Sequence, residues 1–283
     1  MNYETQLSQL INNALNEDIG DGDHSTLSCI SPEAKGKAIL KIKESAIISG
    51  IAVAEKIFKT IQPDCEFIKI KNDGDAVNSG EIAFEIIANI HTILKCERVV
   101  LNTMQRMSGI STLTKQYVNE LSGHSTQLLD TRKTTPNFRL LEKEAVRIGG
   151  GMNHRFGLYD MIMLKDNHID YCGSIEKAII LCNEYILKNK LNLKIEIETR
   201  NLEDVKRVLS VGKVHRIMLD NFKPEDIKNA LELIAGKYET EASGGINIQN
   251  IKEYAATGVD FVSCGAVIHQ AKSIDLSLKA TLI

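Results

Sequence analysis

The feature that most constrains the fold is a strand–loop–helix pattern that repeats from about residue 125 towards the end of the chain. Short apolar segments alternate with amphipathic ones, which predicts parallel strands joined by helices. The sheet is then either doubly wound or closed into a barrel. The predicted strands are 126–129, 160–164, 193–197, 214–219, 238–241 and 260–262, and the predicted helices are 174–187, 202–209, 224–234 and 248–256.

Chemically capable residues follow strand after strand in this region. They are Asp130-Thr-Arg-Lys, Lys165-Asp-Asn, Glu198, Asp220-Asn, Ser243-Gly-Gly and Gly265. Polar groups at the carboxyl ends of many strands are typical of the active face of a TIM-type barrel. A doubly wound sheet would concentrate its ligand groups at one crossover. We therefore expect an α/β barrel that is incomplete, with six to seven strands.

The N-terminal part has a different, mixed α+β pattern. Residues 3–16, 51–60 and 91–121 have helical periodicity, with Ser108-Gly109 as a candidate break in the last. Residues 37–43, 66–71 and 82–87 are strand-like. We expect a sandwich-like α+β domain over residues 1–113 and a barrel domain over 114–269. The tail at about 270–283 is expected to pack back on the first domain.

Composition excludes several classes of function. A net charge of −3 and a pI near 6.2 argue against nucleic-acid binding by counterion release. No segment approaches the roughly 18–20 apolar residues of a membrane span. The first residues lack a basic and then apolar signal pattern. Six cysteines without a C-x-x-C pair are typical of reduced thiols, so we expect a cytoplasmic protein.

Cationic side chains are concentrated in one stretch of this slightly acidic chain. They are Arg132, Lys133, His154, Arg155 and Lys165. Arginine binds carboxylate or phosphate through a planar fork, whereas lysine and histidine supply compact charge. Such a cluster indicates a small ligand with several negative charges. Arg98, on the long helix, would by itself be taken as a surface residue.

Two glycine-containing loops and two carboxylates complete the predicted site. Ser243-Gly244-Gly245 and Cys264-Gly265-Ala266 could bind a phosphate through backbone amides, or could simply permit tight turns. Glu198 and Asp220 end apolar strands and suit sugar hydroxyls or Mg²⁺. Glu196 lies on the same strand face as Glu198 and could assist. The alternative for these carboxylates is an ion pair with Lys165 or another base inside the barrel.

Several motifs together resemble the quinolinate phosphoribosyltransferase family. They are Asp130-Thr-Arg-Lys-Thr-x-Pro, Leu141-Glu-Lys-x-Ala-Val-Arg, Gly149-Gly-Gly-x-Asn-His-Arg, Leu164-Lys-Asp-Asn-His-Ile, Leu219-Asp-Asn-Phe, Ser243-Gly-Gly-Ile and Thr257-Gly-Val-Asp. Glu97-Arg98 and Gln105-x-x-Ser-Gly-Ile extend the resemblance towards the N-terminus. It covers nearly the whole chain in order. Asn137 departs from the usual glycine, but asparagine tolerates a left-handed backbone.

The resemblance implies conversion of quinolinate and phosphoribosyl pyrophosphate into nicotinate mononucleotide, pyrophosphate and CO₂, with Mg²⁺. It implies a homodimer, sometimes assembled further, with a shared active site in which Arg98 reaches the quinolinate site of the neighbouring subunit. Thr131, Arg132, Lys133, His154, Arg155 and Lys165 would surround the acid. Glu198 and Asp220 would meet the ribose and metal, and Ser243, Gly244, Gly245 and Gly265 would hold the 5′-phosphate. Within this set, Lys133, Lys165, Glu198 and Asp220 are the candidate catalytic residues.

Three alternatives stay open at this stage. One is a related phosphoribosyltransferase that acts on another acid such as nicotinate, or a molybdenum-associated relative of unknown substrate, although the number of cations suits two carboxylates better. Another is a Schiff-base enzyme using Lys165, which Asp166 and His168 beside it argue against. The last is a non-catalytic nucleotide sensor, against which the intact Glu198 and Asp220 count.

Overall fold

The computed structural model describes residues 2–281. In chain order its helices are α1 (Tyr3–Ile19), α2 (His24–Cys29), α3 (Ile51–Ile61), α4 (Ile90–Glu120), α5 (Arg139–Ile148), α6 (Asp166–Cys172), α7 (Ile175–Asn189), α8 (Leu202–Val211), α9 (Pro224–Ile234), α10 (Ile251–Ala255) and α11 (Ala266–His269). Its strands are β1 (Lys35–Ile42), β2 (Ala46–Ile47), β3 (Glu66–Lys69), β4 (Ala76–Val77), β5 (Ile82–Asn89), β6 (Gln127–Leu129), β7 (Ile162–Leu164), β8 (Ile195–Thr199), β9 (Arg216–Asp220), β10 (Glu239–Ser243), β11 (Phe261–Ser263) and β12 (Leu276–Thr281).

An antiparallel sheet in the order β12-β1-β5-β3 organises the first of two compact units. Alternate residues of β1 are buried, as the strand period requires. Phe84 on β5 lies 4.5 Å from Phe67 on β3 and 6.2 Å from Phe58 on α3, measured between ring centroids. This aromatic cluster fixes α3 against the sheet, and β12 forms the edge strand beside β1.

The first unit also contains residues 134–150, which the sequence prediction assigned to the barrel. The reason is a buried ion pair. Glu142 on α5 has no exposed surface and accepts hydrogen bonds from Arg106 on α4, at 2.9 Å from Nε and 2.8 Å from Nη2. Such a pair is costly to separate, so α5 stays with α4. The predicted domain boundary between residues 113 and 114 stays a prediction.

The long helix α4 continues through Ser108-Gly109, so the candidate break there is wrong. A Cβ atom on Gly109 would lie 1.9 Å from the carbonyl oxygen of Lys272. Glycine at this position therefore permits close packing of another segment of the same unit, not a bend in the helix.

Six parallel strands of residues 2–281 form the second unit, in the order β6-β11-β10-β9-β8-β7. Each begins within two residues of its predicted start, so the strand pattern is confirmed. Met152 adds a parallel bridge to Leu129 at the β6 edge. Helices join the strands, as right-handed crossovers require. The prediction of an incomplete TIM-type barrel is therefore confirmed.

The two faces of the barrel strands differ in chemistry. Ile195, Ile197, Ile217 and Leu219 are buried on one face. The alternate positions on β8, β9 and β10 point to the opposite face and carry Glu196, Glu198, Arg216, Asp220, Glu239, Glu241 and Ser243. Charged groups therefore line the interior. None of the helices formed by residues 2–281 combines the length and the hydropathy that a bilayer span requires.

Candidate active site

The carboxyl ends of β9 and β10 bring Asp220 and Ser243 side by side, since these residues are register partners. The Ser243 hydroxyl donates to Asp220 Oδ1 at 2.5 Å, and the Asn221 amide donates to Oδ2 at 2.7 Å. The Asp220 carboxylate is thus oriented before any ligand binds.

The loop that follows β10 depends on glycine. Gly244 and Gly245 have φ values of +90° and +64°, in the region that favours glycine. A Cβ on Gly244 would lie 2.2 Å from Asn221 Oδ1. The glycines therefore serve a tight turn, as the alternative interpretation stated, and that turn leaves Gly245 exposed at the strand ends. Gly265 lies between β11 and α11 and is half-buried.

Lys165 and Glu198 form an ion pair across neighbouring strands of the barrel. Lys165 precedes α6, and its amide donates to His168 Nδ1 at 2.9 Å, which helps to fix the start of that helix. Glu198 is almost fully buried, whereas the Lys165 side chain is about half exposed. The pair satisfies a carboxylate that would otherwise be costly to bury.

Arg132 and Arg155 are neighbours, although they carry the same charge. Burial lowers the pKa of Arg155, and the Arg132 guanidinium lowers it further. Arg155 Nη1 donates to the Met161 carbonyl at 3.2 Å, which holds one edge of its guanidinium. The Glu196 and Glu198 carboxylates act on Arg155 in the opposite direction and raise its pKa. The predicted cations Arg132 and Arg155 therefore share one site with Glu198 and its partner Lys165.

Thr131 and Lys133 lie next to this cluster in the loop after β6. The Lys133 amide donates to Thr131 Oγ1 at 3.1 Å, so the threonine shapes the loop. The Lys133 side chain is exposed.

Asp130 is a functional residue that the predicted site left out. It has no exposed surface. Its Oδ2 accepts from the Asn153 side chain at 2.7 Å and its Oδ1 from the His154 backbone amide at 2.8 Å. Asp130 therefore anchors the glycine-rich loop that carries His154 and Arg155. The sequence signal that could have identified Asp130 is its position directly after the apolar segment 126–129, where a buried carboxylate requires hydrogen-bond partners.

His154 faces into the barrel and not towards the mouth. Its Nε2 lies 3.0 Å from Glu196 and 3.3 Å from Glu241, both fully buried. Its Nδ1 accepts the backbone N–H of Arg155 at 2.7 Å. Both ring nitrogens are thus engaged by the protein, and the predicted contact of His154 with a ligand carboxylate stays a prediction.

The surroundings of His154 change its protonation. Burial alone would lower the pKa of the ring, but the Glu196 and Glu241 carboxylates raise it to about 9. Burial raises the pKa of Glu196, and the neighbouring Glu241 adds to that effect. The cluster therefore retains a proton at neutral pH.

Arg216 lies on the far side of the two buried carboxylates. Its Nη1 donates to Glu241 at 2.9 Å and lies 3.9 Å from Glu196. Its Nη2 donates to Glu239 at 3.0 Å, and the guanidinium lies 4.1 Å from the centre of the Phe261 ring. Sequence reasoning noted Glu196 but missed Glu241 and Arg216, although both stand at inward positions of predicted strands.

Arg98 is the one predicted site residue outside the second unit. It lies on α4, in the first unit, with an exposed side chain. All the other predicted site residues belong to the second unit.

Family models match almost the whole chain. The model of the quinolinate phosphoribosyl transferase C-terminal domain matches residues 110–279, and that of the N-terminal domain matches residues 23–108. The chloroplastic nicotinate-nucleotide pyrophosphorylase (carboxylating) of Oryza sativa is 42% identical, over 96% of this chain and 77% of that protein. A probable nicotinate-nucleotide pyrophosphorylase (carboxylating) of Bacillus subtilis is 40% identical, over 98% of this chain and 94% of that protein.

Solved structures agree with these sequence matches. NadC from Streptococcus pyogenes aligns with a TM-score of 0.92 at 39% identity, covering 99% of this chain and 98% of that one. The nicotinate-nucleotide pyrophosphorylase from Francisella tularensis aligns with a TM-score of 0.90 at 36% identity, covering 99% and 98%. Human nicotinic acid phosphoribosyltransferase aligns at 0.59 with 10% identity, over 99% and 74%, which shows a common fold alone.

Proposed function

The chain belongs to the quinolinate phosphoribosyltransferase family, and we propose that the charged mouth of its barrel carries out the family's reaction. The enzyme is a pentosyltransferase of NAD biosynthesis. It transfers the phosphoribosyl group of phosphoribosyl pyrophosphate to quinolinate with decarboxylation, and it releases nicotinate mononucleotide, pyrophosphate and CO₂.

The proximity of Arg132 and Arg155 is the observation that carries the assignment of the acid pocket. Two guanidinia that repel each other in a partly buried site are stabilised when a dianion binds between them. In this proposal Arg132 and Arg155 bind the carboxylates of quinolinate, and Lys165 turns to the substrate from Glu198. Thr131 and the exposed Lys133 complete the pocket from the β6 loop.

Glu198 and Asp220 bind the ribose hydroxyls in this proposal. Their hard oxygen donors at the barrel mouth also fit Mg²⁺. The metal, when bound, would neutralise the pyrophosphate leaving group. Release of Glu198 from Lys165 makes its carboxylate available to the sugar, and Ser243 and Asn221 keep Asp220 oriented.

The 5′-phosphate is assigned to the loops after β10 and β11. The tight turn at Gly244 and Gly245 brings backbone close to the strand ends without side chains in the way. Ser243, Gly244, Gly245 and Gly265 then hold the phosphate, in the position that barrels of this type use.

The residues act on the reaction mainly through fixed charge. As the C1–oxygen bond to pyrophosphate breaks, positive charge develops on the sugar, and Glu198 and Asp220 stabilise it. The quinolinate nitrogen forms the new bond to C1. The ring nitrogen is then cationic and stabilises the carbanion that loss of the adjacent carboxylate as CO₂ leaves behind, which a proton quenches. No side-chain nucleophile is needed.

Assembly and location belong to the proposal as well. The exposed Arg98 on α4 is available to a neighbouring subunit, which supports a homodimer with shared sites. The six cysteines are free, which supports the cytoplasm. Small-molecule substrates are the expected partners, and neither nucleic acid nor membrane is.

The test is an assay of purified enzyme with phosphoribosyl pyrophosphate, Mg²⁺ and either quinolinate or nicotinate, following CO₂ release and mononucleotide formation. Lys165→Ala should lower kcat/KM for quinolinate by about a thousandfold, since it removes a preorganised charge. Its circular dichroism and thermal unfolding should stay unchanged because the side chain is half exposed. Lys188→Ala, an exposed lysine on α7, is the matched control.

Nicotinate is the competing substrate. Strong turnover of nicotinate with none of quinolinate would overturn the choice of acid. Full activity of Lys165→Ala would overturn the assigned pocket while leaving the reaction in place.

A further inference from the structure

A column of alternating charge runs through the barrel interior below the proposed acid pocket. Arg216 stands at the amino end of β9, and Glu196 and Glu241 lie between it and His154. Glu196 and Glu241 have no exposed surface, and the side chains of His154 and Arg216 are 5% and 13% exposed. Charges buried this deeply are tolerated only when they are matched closely.

His154 is connected to the pocket through Arg155. The Arg155 backbone amide donates to His154 Nδ1, and the His154 backbone amide donates to Asp130. The ring and both amides therefore fix the backbone at the base of the Arg155 side chain. A rotation of the ring would remove the acceptor from that amide and shift Arg155.

Arg216 determines where the buried carboxylates can lie. Its planar fork bonds Glu239 through Nε and Nη2 at 3.2 and 3.0 Å and Glu241 through Nη1 at 2.9 Å. The ring of Phe261 packs against the guanidinium at 4.1 Å. Without the Arg216 cation, the carboxylates of Glu196 and Glu241 would repel each other beside the single imidazole of His154.

We propose that Arg216 is a positioning residue for the transfer reaction, acting through Glu241, Glu196 and His154 to hold Arg155 in the acid pocket. Arg216 does not touch substrate in this proposal. It rests on the proposed function, because it takes Arg155 as a ligand of the acid. His154 links the buried carboxylates to the backbone of Arg155 in this proposal.

The experiment compares Arg216→Met, Arg216→Lys and wild type in steady-state kinetics with each substrate varied in turn. Arg216→Met keeps an unbranched apolar side chain but removes the guanidinium and its charge. We expect its KM for the acid to rise about tenfold or more, with a change of less than about threefold in KM for phosphoribosyl pyrophosphate. Lysine restores the charge but cannot bond Glu239 and Glu241 together, so its KM for the acid should rise by about threefold.

A double-mutant cycle tests the route. Arg216→Met combined with His154→Asn should be no worse than the more impaired single variant, because both lesions act on the same contact to Arg155. Arg207→Met is the control. Arg207 makes a bidentate ion pair with Glu176 in the outer helices, and this substitution removes that pair without touching the barrel interior. It should leave both KM values unchanged.

Several outcomes would overturn the proposal. A loss of thermal stability in Arg216→Met with wild-type KM for the acid would make Arg216 structural only. Equal rises in both KM values, or additive effects of the two substitutions in the double-mutant cycle, would also show that Arg216 does not act on the acid pocket through His154. If Arg216→Met does not fold, an unchanged KM in Arg216→Lys decides against it.

The metal content of purified wild type gives a further test. His154, Glu196 and Glu241 could also hold a metal ion. If purified wild type contains one equivalent of a transition metal that Glu241→Gln loses, these residues form a metal site, and the proposal that Arg216 positions Arg155 through them is overturned. Wild-type activity with quinolinate tests the proposed function separately, because the variants are scored relative to whichever acid the wild type uses.

Discussion

His154 connects the barrel interior to the stability of the protein. Its pKa in the folded chain, about 9, lies above the unfolded value of 6.5. A group whose pKa is raised on folding stabilises the protein below the unfolded pKa and loses that contribution as pH rises through the folded pKa. Because Nδ1 accepts the Arg155 amide, it carries no proton, so the proton taken up in this pH range belongs to the coupled group of His154 Nε2, Glu196 and Glu241.

We therefore predict that the free energy of unfolding falls between pH 6.5 and about 9.5, by up to about 3 kcal/mol from this group. Urea titrations at several pH values measure the fall. His154→Gln should flatten the profile in this window relative to wild type, whereas His124→Gln, outside the cluster, should retain it. Parallel profiles for wild type and His154→Gln would show that His154 takes no part in this proton uptake.

The elements of the barrel were predictable because the relevant signals are local. Strand periodicity and polar residues at strand ends placed β6 to β11 and the residues at their carboxyl ends. Asn137, the departure from the family motif, indeed has a φ of +63°, as its tolerance of a left-handed backbone allows.

What the sequence could not supply is contact between distant segments. The orientation of His154 depends on Glu196 and Glu241, which come from two other strands. The place of α5 depends on Arg106, which lies 36 residues from Glu142. The role of Gly109 depends on Lys272. Each of these features is a matter of packing between distant segments, which periodicity does not encode.

The loop after β10 gives a prediction at the scale of the element. Gly244→Ala adds a Cβ that collides with Asn221, at a residue whose φ is +90°. Gly258→Ala has nearly the same φ, +88°, but nothing within 4 Å of its Cβ. Gly258→Ala should therefore cost about 1 kcal/mol of stability from backbone strain alone.

Gly244→Ala should cost more than this control and should also raise KM for phosphoribosyl pyrophosphate, because displacement of Asn221 and Asp220 disturbs the phosphate and ribose contacts. Thermal unfolding and initial rates measure the two effects. Equal KM values in both variants would remove the loop after β10 from the phosphate site.

At the scale of the whole molecule, one cation of the proposed site, Arg98, does not belong to the second unit. Arg132, Arg155 and Lys165 come from the barrel, but Arg98 belongs to the first unit and has an exposed side chain. If a neighbouring subunit supplies Arg98, activity depends on assembly. Dilution below the dimer dissociation constant should then lower specific activity, in step with the fraction of dimer seen by sedimentation.

Mixing two inactive variants distinguishes a shared site from a site within one chain. Arg98→Ala and Lys165→Ala homodimers each carry one lesion in every site. After random exchange of subunits about half of the dimers are mixed, and one site of each mixed dimer is intact, so about a quarter of all sites should recover. Initial rates of CO₂ release measure the recovery, and differently tagged subunits verify exchange. Exchange without recovery would mean that Arg98 serves the pocket of its own chain, because only then does every site in the mixture keep a lesion.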